Sequence, residues 1–339
     1  MRSLGICFLL MATILVGCGR RVMRVDFVPV EDRLQPVVIE WGDAGRFTRD
    51  RIAMIQVAGL IANAKPRSLL SSGNNPVSDF RETLDAIARD PSVRAVVLRI
   101  NSPGGTVTAS DMMYKDLMEF KKRTNVPVVT CMMDVCASGG YYLSCASDYR
   151  VAYPTTITGS IGVIIQTINL NSTLRKLGIA SEAVKSGPNK DMGSPFRKPE
   201  HADAPLTADD RALLQAMVDQ FYTAFTEIVK KSPNRVAAAD WPTVTDGRVL
   251  TGRDAAKLGL IDEVGNIDSA IRKAKELAKI ERAKIIMYVR SGEHRGSVYA
   301  NSPSPPAQMN MINLNVDLGD LLPHGQSQFL YLWTGFDEN

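Results

Sequence analysis

The chain has 339 residues, with 40 Lys and Arg against 36 Asp and Glu, a net charge of +4 at neutral pH. A charge so mild, with no dense basic cluster interleaved with aromatics, argues against nucleic acid as a partner. The five cysteines and three histidines fall at no spacing that suggests a zinc site, and no motif calls for a cofactor.

Arg2 is followed by an apolar run from Leu4 to Val16 that ends in Leu15-Val16-Gly17-Cys18. The run is too short to span a bilayer comfortably. A charged start, a short apolar core and a small-residue end read as a secretory signal. The ending resembles a bacterial lipobox, which implies cleavage before Cys18 and lipidation of its thiol; the alternative is an uncleaved signal anchor with Cys18 incidental. Acyl chains would hold a soluble domain on a membrane surface, each buried CH₂ contributing ~0.8 kcal/mol. Gly19 rather than Asp follows the cysteine, which favours the outer membrane in an enteric-type cell. Of the other cysteines, Cys7 leaves with the signal. Cys131, Cys136 and Cys145 are an odd trio, not a disulfide framework, and Cys136 reads as a small buried hydrophobe. Residues 1–18 are thus the signal, 19–50 a tether with a first strand (Pro36 to Trp41), 51–290 the folded domain and 291–339 a tail.

From Arg51 the hydrophobic pattern becomes regular. Ile52 to Leu60 reads as a buried strand, and Val77 to Arg89 as a helix with Phe80, Leu84, Ile87 and Ala88 on one face. Asp90-Pro91 stops that helix, because proline lacks the N–H and restricts the residue before it. Val93 to Ile100 is the next strand, Ser110 to Lys122 a helix with Met113, Leu117 and Phe120 aligned, and Val126 to Met133 a strand again. Alternation with short links predicts right-handed crossovers over a largely parallel sheet. Ser138 to Ala146 is expected to be helical. Tyr149 to Tyr153, Ile161 to Ile165 and Ser181 to Val184 read as strands, Asn171 to Leu177 as a short helix, and Ser186 to Gly193 as a loop by composition. Thr207 to Lys231 is the longest helix. Its apolar face carries Leu214, Met217, Val218, Phe221, Phe225 and Ile228, and Thr207 with Asp210 fits a capping-box start. Ile267 to Ile280 is a helix and Ala283 to Val289 a last strand. Beyond Arg290 the tail is rich in Ser, Pro, Asn and Gly, with an apolar patch, Phe329-Leu330-Tyr331-Leu332-Trp333. About 240 residues suffice for one sizeable core.

The chemistry concentrates at two turns. The run Val93 to Ile100 empties into Asn101-Ser102-Pro103-Gly104-Gly105, and Val126 to Met133 leads to Ala137-Ser138-Gly139-Gly140-Tyr141-Tyr142. Two strands ending in Gly-rich turns can set two loops side by side at one sheet edge. One would offer a nucleophile and the other bare backbone N–H groups, the minimum equipment for acyl transfer. A helix beginning at Ser138 adds a dipole that favours negative charge. The competing reading makes Ser138 only an N-cap. No histidine precedes His201, which lies in a polar stretch, while His294 and His324 fall in the tail. No Ser-His-Asp triad is legible, and the missing Gly-x-Ser-x-Gly elbow speaks against an α/β-hydrolase. The base expected for Ser138 is therefore a lysine. Ser102 reads as fixing its own turn and Asp134 as holding the turn before Ser138; neither is given a catalytic proton.

These motifs are followed by Thr158-Gly159-Ser160-Ile161-Gly162-Val163, Lys185-Ser186-Gly187 with Lys190-Asp191, and Asp246-Gly247-Arg248-Val249 with Thr251-Gly252 and Ala255. In order and approximate spacing the chain resembles the bacterial signal peptide peptidase A family over nearly all of Arg51 to Val289. The resemblance implies an α/β fold of the Clp protease/crotonase type, with a spiralling β/α core. Carried over by residue, it implies Ser138 as the nucleophile of a Ser-Lys dyad, Lys190 as general base and Ser160 as the group orienting that lysine. It also implies an oxyanion hole made by the N–H groups of Gly105 and Gly139. A free lysine, with a pKa near ~10.4, is protonated at neutral pH; a dry groove disfavours the cation and lowers that value. Asp191 is accordingly expected to face away from the amine, and Lys185 and Lys198 are the competing lysines.

The resemblance further implies a membrane-associated serine endopeptidase with no cofactor, acting outside the cytoplasm on remnant signal peptides or other unfolded chains. The short, single-copy form implies a ring of about eight identical subunits, an octamer, with serine and lysine of one site coming from neighbours. Many members carry an N-terminal transmembrane helix, whereas this chain reads as lipidated at Cys18, which leaves its substrates open. Two other readings stand beside this one: a crotonase-fold protein acting on acyl thioesters, and a scaffold with a dead site.

Overall fold

The computed structural model describes residues 34–40, 44–45, 47–64, 75–199, 206–290, 297–299 and 330–332. The signal with Cys18, and His201, His294 and His324, lie outside the described residues. All described elements belong to one compact unit. In chain order the strands and helices are β1 (Gln35–Glu40), β2 (Arg51–Ala58), α1 (Pro76–Arg89), β3 (Val93–Ser102), β4 (Gly104–Thr106), α2 (Val107–Thr124), β5 (Val128–Ala137) and α3 (Gly139–Ser144). There follow β6 (Tyr149–Ala152), β7 (Ile157–Gly159), α4 (Asn171–Lys176), α5 (Ala208–Lys231), α6 (Trp241–Val244), β8 (Val249–Thr251), α7 (Gly252–Lys257), β9 (Glu263–Val264), α8 (Ile267–Ala278), β10 (Lys284–Val289) and β11 (Leu330–Leu332).

The main sheet runs β1-β10-β2-β3-β5-β6-β9, with β7 beside β5 and β8 beside β7. Its pairs are parallel except β1 with β10 and β7 with β8. This is a mixed α/β fold with a central, mostly parallel sheet flanked by helices. Strand periodicity explains the layering, since successive side chains point to opposite faces. Ala53, Ile55, Val96, Leu98 and Ile100 join the cluster beneath α1, α2 and α5, through Phe80, Leu84, Met113, Leu117 and Phe225. The intervening Ile52, Met54, Ala95 and Val97 pack instead on Ile267, Ala270 and Ala274 of α8. Strands buried on both faces read as near-continuous apolar runs, which is why β3 was plain in the sequence.

Local chemistry sets the helix ends. The Asn75 side chain accepts from Val77 N and Ser78 N at the start of α1, and Pro76 occupies its first turn, where a missing N–H costs nothing. The Thr207 hydroxyl accepts from the Asp210 amide at 3.1 Å, a cap that contributes about 1 kcal/mol. Two expectations moved. The segment expected as a strand from Ile161 to Ile165 gives a strand earlier, at β7, and only Ile164 makes an isolated bridge. Ser181 to Val184 forms no strand and is fully on the surface. Among the described residues no helix is long and apolar enough to cross a membrane.

Candidate active site

Strand β5 delivers Ser138. Its first half pairs with β6 and its last residues, Val135 to Ala137, pair in parallel with Ile157 to Gly159 of β7. The residues that follow each strand, Ser138 and Ser160, therefore stand next to one another, and the Ser138 amide donates to the Gly159 carbonyl at 2.8 Å. Both serines have positive φ, 50° and 49°, a region that non-glycine residues enter only under local strain. Ser138 is completely buried, and among the described residues its hydroxyl has no hydrogen-bond partner. It occupies the N-cap position of α3 yet makes no capping bond, so the cap reading of this serine fails.

The second loop arrives from β3. Ser102 is buried at its end and donates to the Gly59 carbonyl at 2.6 Å, while the Gly104 amide donates to the Ser102 hydroxyl at 3.1 Å. It thus fixes its turn, as expected. Asp134 accepts from the Asn101 side-chain amide at 3.4 Å. Gly104 has φ +110°, and a Cβ there would touch the Tyr331 carbonyl oxygen and come within 2.7 Å of the Gly139 amide nitrogen. A Cβ on Gly139 would run into the Ser110 hydroxyl and lie 3.1 Å from the Gly105 nitrogen. Bare backbone at these positions lets the two turns approach closely. The amides of Gly105 and Gly139 are consequently near neighbours, beside Ser138.

Lys190 is exposed on a turn of its own, with its amide donating to the Gly187 carbonyl at 3.2 Å. Because the Ser138 hydroxyl is unpartnered, no hydrogen bond joins it to Lys190 or to Ser160 within one chain. The Asp191 carboxylate faces Lys185 at 2.6 Å and Arg197 at 3.5 Å. Burial pushes that carboxyl up, but the bond from Lys185 and the charge of Arg197 outweigh it and hold it below the ordinary range. Lys185, a competing lysine, is thereby engaged in an ion pair. Arg197 also bonds the buried Asp210 at 2.8 Å, tying the lysine loop to the first turn of α5. This anchor was invisible in the sequence, because its two ion pairs link a loop to a helix that only the fold brings together.

Cys131, Cys136 and Cys145 are buried free thiols. Burial pushes the Cys131 thiol up to about 12 and Cys136 well above its usual value, so neither offers a thiolate nucleophile.

Comparison with known proteins agrees with the motifs. The profile of peptidase family S49 matches residues 120–281, a span that contains Ser138, Ser160 and Lys190. A protein assigned as signal peptide peptidase SppA in Enterococcus faecium is 34% identical over 70% of this chain and 67% of its own length. A protein assigned as a protease in Synechocystis is 33% identical over 70% of this chain and 78% of its own. Protease 4 of Salmonella typhi is 31% identical over 71% of this chain but only 37% of its own. By these matches, and by the glycine-serine turns that the fold sets side by side, the chain belongs to peptidase family S49, the proteases of the signal peptide peptidase A type.

Proposed function

We propose that the chain is a serine endopeptidase in which Ser138 attacks a peptide carbonyl, Lys190 takes the serine proton and Ser160 orients that lysine. The amides of Gly105 and Gly139 hold the oxyanion. The observation that carries this reading is the Ser138 hydroxyl itself: buried, strained in backbone and without a partner among the described residues, yet placed where two bare amide turns meet. A polar group so placed is unfavourable for folding, which argues that it is retained for chemistry. Attack would form the Ser138 Oγ–carbonyl carbon bond and pass the hydroxyl proton to the lysine. The same proton then goes to the leaving amine as the peptide bond breaks, and water completes the cycle. Such a core fits the Clp protease/crotonase type.

Lys190 stands in water in the single chain, and a lysine works as a base only where burial disfavours its cation. The site is therefore completed between subunits of a ring. Support comes from exposed apolar side chains in the segment that leads to the lysine loop: Ile168, Leu177 and Ile179 are exposed and Val184 entirely so, apolar area that a neighbouring subunit would remove from water. The substrates are extended, unfolded peptides, remnant signal peptides among them. The enzyme works outside the cytoplasm, held to a membrane by a lipidated Cys18.

A serine-directed phosphonate tests the core of this reading. It should label Ser138 in the wild-type protein and leave Ser138→Ala unmodified, and hydrolysis of a fluorogenic peptide should fall by more than about a thousandfold in that variant. Wild-type turnover by Ser138→Ala, in protein free of contaminating protease, would refute it.

A further inference from the structure

Lys190 is followed directly by a carboxylate, and an acid so near a base works against it. A negative charge beside an ammonium favours the protonated form, so a free Asp191 would keep the proposed base charged. The carboxylate is instead engaged elsewhere. Asp191 accepts from Lys185 at 2.6 Å and faces Arg197 at 3.5 Å. Lys185 also donates to the Pro188 carbonyl at 3.2 Å, so its ammonium is held from two sides of the turn that carries Lys190. Arg197 reaches on to Asp210 at 2.8 Å, a carboxylate only 1% exposed in the first turn of α5.

The backbone fixes these charges in place. The amides of Lys190, Met192, Ser194 and Arg197 donate to the carbonyls of Gly187, Asn189, Asp191 and Ser194 in successive turns, at 3.0–3.2 Å. The far end is tied to the entry of α4. There the Leu170 amide donates to the Pro195 carbonyl at 2.7 Å, the Asn171 side chain to the Phe196 carbonyl at 2.7 Å and the Asn169 side chain to the Arg197 carbonyl at 2.8 Å. Among the described residues, Lys185, Asp191, Arg197 and Asp210 thus form a run of two cations and two carboxylates whose charges cancel. The other charged side chains nearby in the chain, Glu182 and Lys198 and, on α4 and α5, Arg175, Lys176, Asp209 and Arg211, are exposed. Glu200, His201 and Asp203 lie outside the described residues.

We propose that Lys185 and Arg197 are positioning residues for the general base: they hold the Asp191 carboxylate off the Lys190 amine and cancel its charge, so that the amine gives up its proton. The inference rests on Lys190 as the base and adds the residues that prepare it. One unbalanced carboxylate beside Lys190 favours its cation, and one unbalanced cation disfavours it. Substitutions of opposite charge therefore act in opposite directions. A part played in folding alone carries no such sign.

The test compares the full chain as wild type, Lys185→Gln, Asp191→Asn, Arg197→Gln and Arg197→Lys. Two readouts are followed against pH: kcat/KM for a fluorogenic peptide, which reports the free enzyme, and acetylation of Lys190 by trace acetic anhydride, read by mass spectrometry. Both midpoints should move up by about half a pH unit or more in Lys185→Gln and Arg197→Gln, and down by about as much in Asp191→Asn. The double variant Lys185→Gln/Asp191→Asn is neutral again and should return to the wild-type midpoint. Arg197→Lys keeps the charge and should leave the midpoint in place. Arg197→Gln strands the buried Asp210 carboxylate and risks unfolding; Lys185→Gln, at a site 31% exposed, carries the same test where circular dichroism shows that loss. Unmoved midpoints in folded Lys185→Gln and Asp191→Asn, or shifts of the same sign in both, overturn the proposal. If the acetylation midpoints shift as expected and the activity profile does not follow them, the positioning of Lys190 stands and its assignment as the base fails.

Discussion

At the scale of single residues, Ser138 sets two readings of one side chain against each other with opposite signs. An N-cap serine replaced by alanine loses about 1 kcal/mol. A serine whose buried hydroxyl lacks a partner loses nothing of that kind, and removing an unsatisfied buried group is neutral or stabilising. Ser138→Ala is therefore expected to be inactive and to melt at or slightly above the wild-type temperature in calorimetry; a clear drop would restore the cap. Replacement by glycine should stabilise further, since φ of 50° with ψ of −112° suits glycine and strains any other residue, by of order 1–3 kcal/mol. Lys190 gives the complementary case. Exposed and on a turn, it can be replaced by alanine within about 0.5 kcal/mol of wild-type stability, yet activity should vanish. Lys190→Arg should not restore activity, because a guanidinium stays protonated. The pH profile of the wild-type enzyme should rise on the alkaline side. A rise near the ordinary histidine value that disappears in His201→Ala would move the base to that residue.

At the scale of elements, the end of α1 shows how much one carboxylate can join. Asp90 accepts from the Ser92 amide and hydroxyl, from Arg51 on β2 at 3.0 Å and from the Tyr288 hydroxyl on β10 at 3.0 Å. Burial pushes its carboxyl up, but these hydrogen bonds and the Arg51 charge outweigh burial and hold it below the usual range. A depressed folded-state value means that ionisation favours the folded state above the unfolded-chain value of about 3.9, and that this stability fades as the pH falls through the lower, folded value. Asp90→Ala should thus cost about 1–3 kcal/mol in denaturant titrations at pH 7, and the gap from wild type should narrow once the pH drops below that range. A gap unchanged by acid would show that packing, not the charge, holds the junction. Legibility in the sequence follows the same division between local and distant partners. The helix faces of α1, α2 and α5 and the buried run of β3 were readable, because period and burial leave a trace in consecutive residues. Both glycine turns were readable too, since close backbone approach dictates residue type. Ser181 to Val184 misled, because a strand exists only where an edge is available to pair with it, and this segment meets none among the described residues. Strand β11 left only an apolar patch as its signal: three residues carry no period, and their partner β4 lies more than two hundred positions away. Nor did spacing place Lys190, whose loop is held through Arg197 to Asp191 and Asp210.

At the scale of the whole molecule, the unmet needs of the single chain point in one direction. Among the described residues the serine hydroxyl bonds no base, the lysine is exposed, and the segment between them exposes Ile168, Leu177, Ile179 and Val184. Leu213 and Met217 on α5 are exposed as well, so the helix that anchors the lysine loop carries apolar surface beyond what its own core uses. One neighbouring copy could cover this surface and, in doing so, dry the lysine of one chain beside the serine of the next. The proposed ring then has a genetic signature. Mixtures of Ser138→Ala and Lys190→Ala, each inactive alone, should regain a fraction of wild-type peptidase activity once subunits exchange. In a random equal mixture about one quarter of the interfaces combine an intact serine with an intact lysine, so recovery should approach that share and follow the exchange rate. Exchange demonstrated by native mass spectrometry with no activity returning would place serine and lysine within one chain. The exposed lysine loop would then have to close onto Ser138 of its own subunit, and labelling of Ser138 would become independent of protein concentration, whereas a site built between subunits loses its reactivity on dilution below the dissociation constant of the ring.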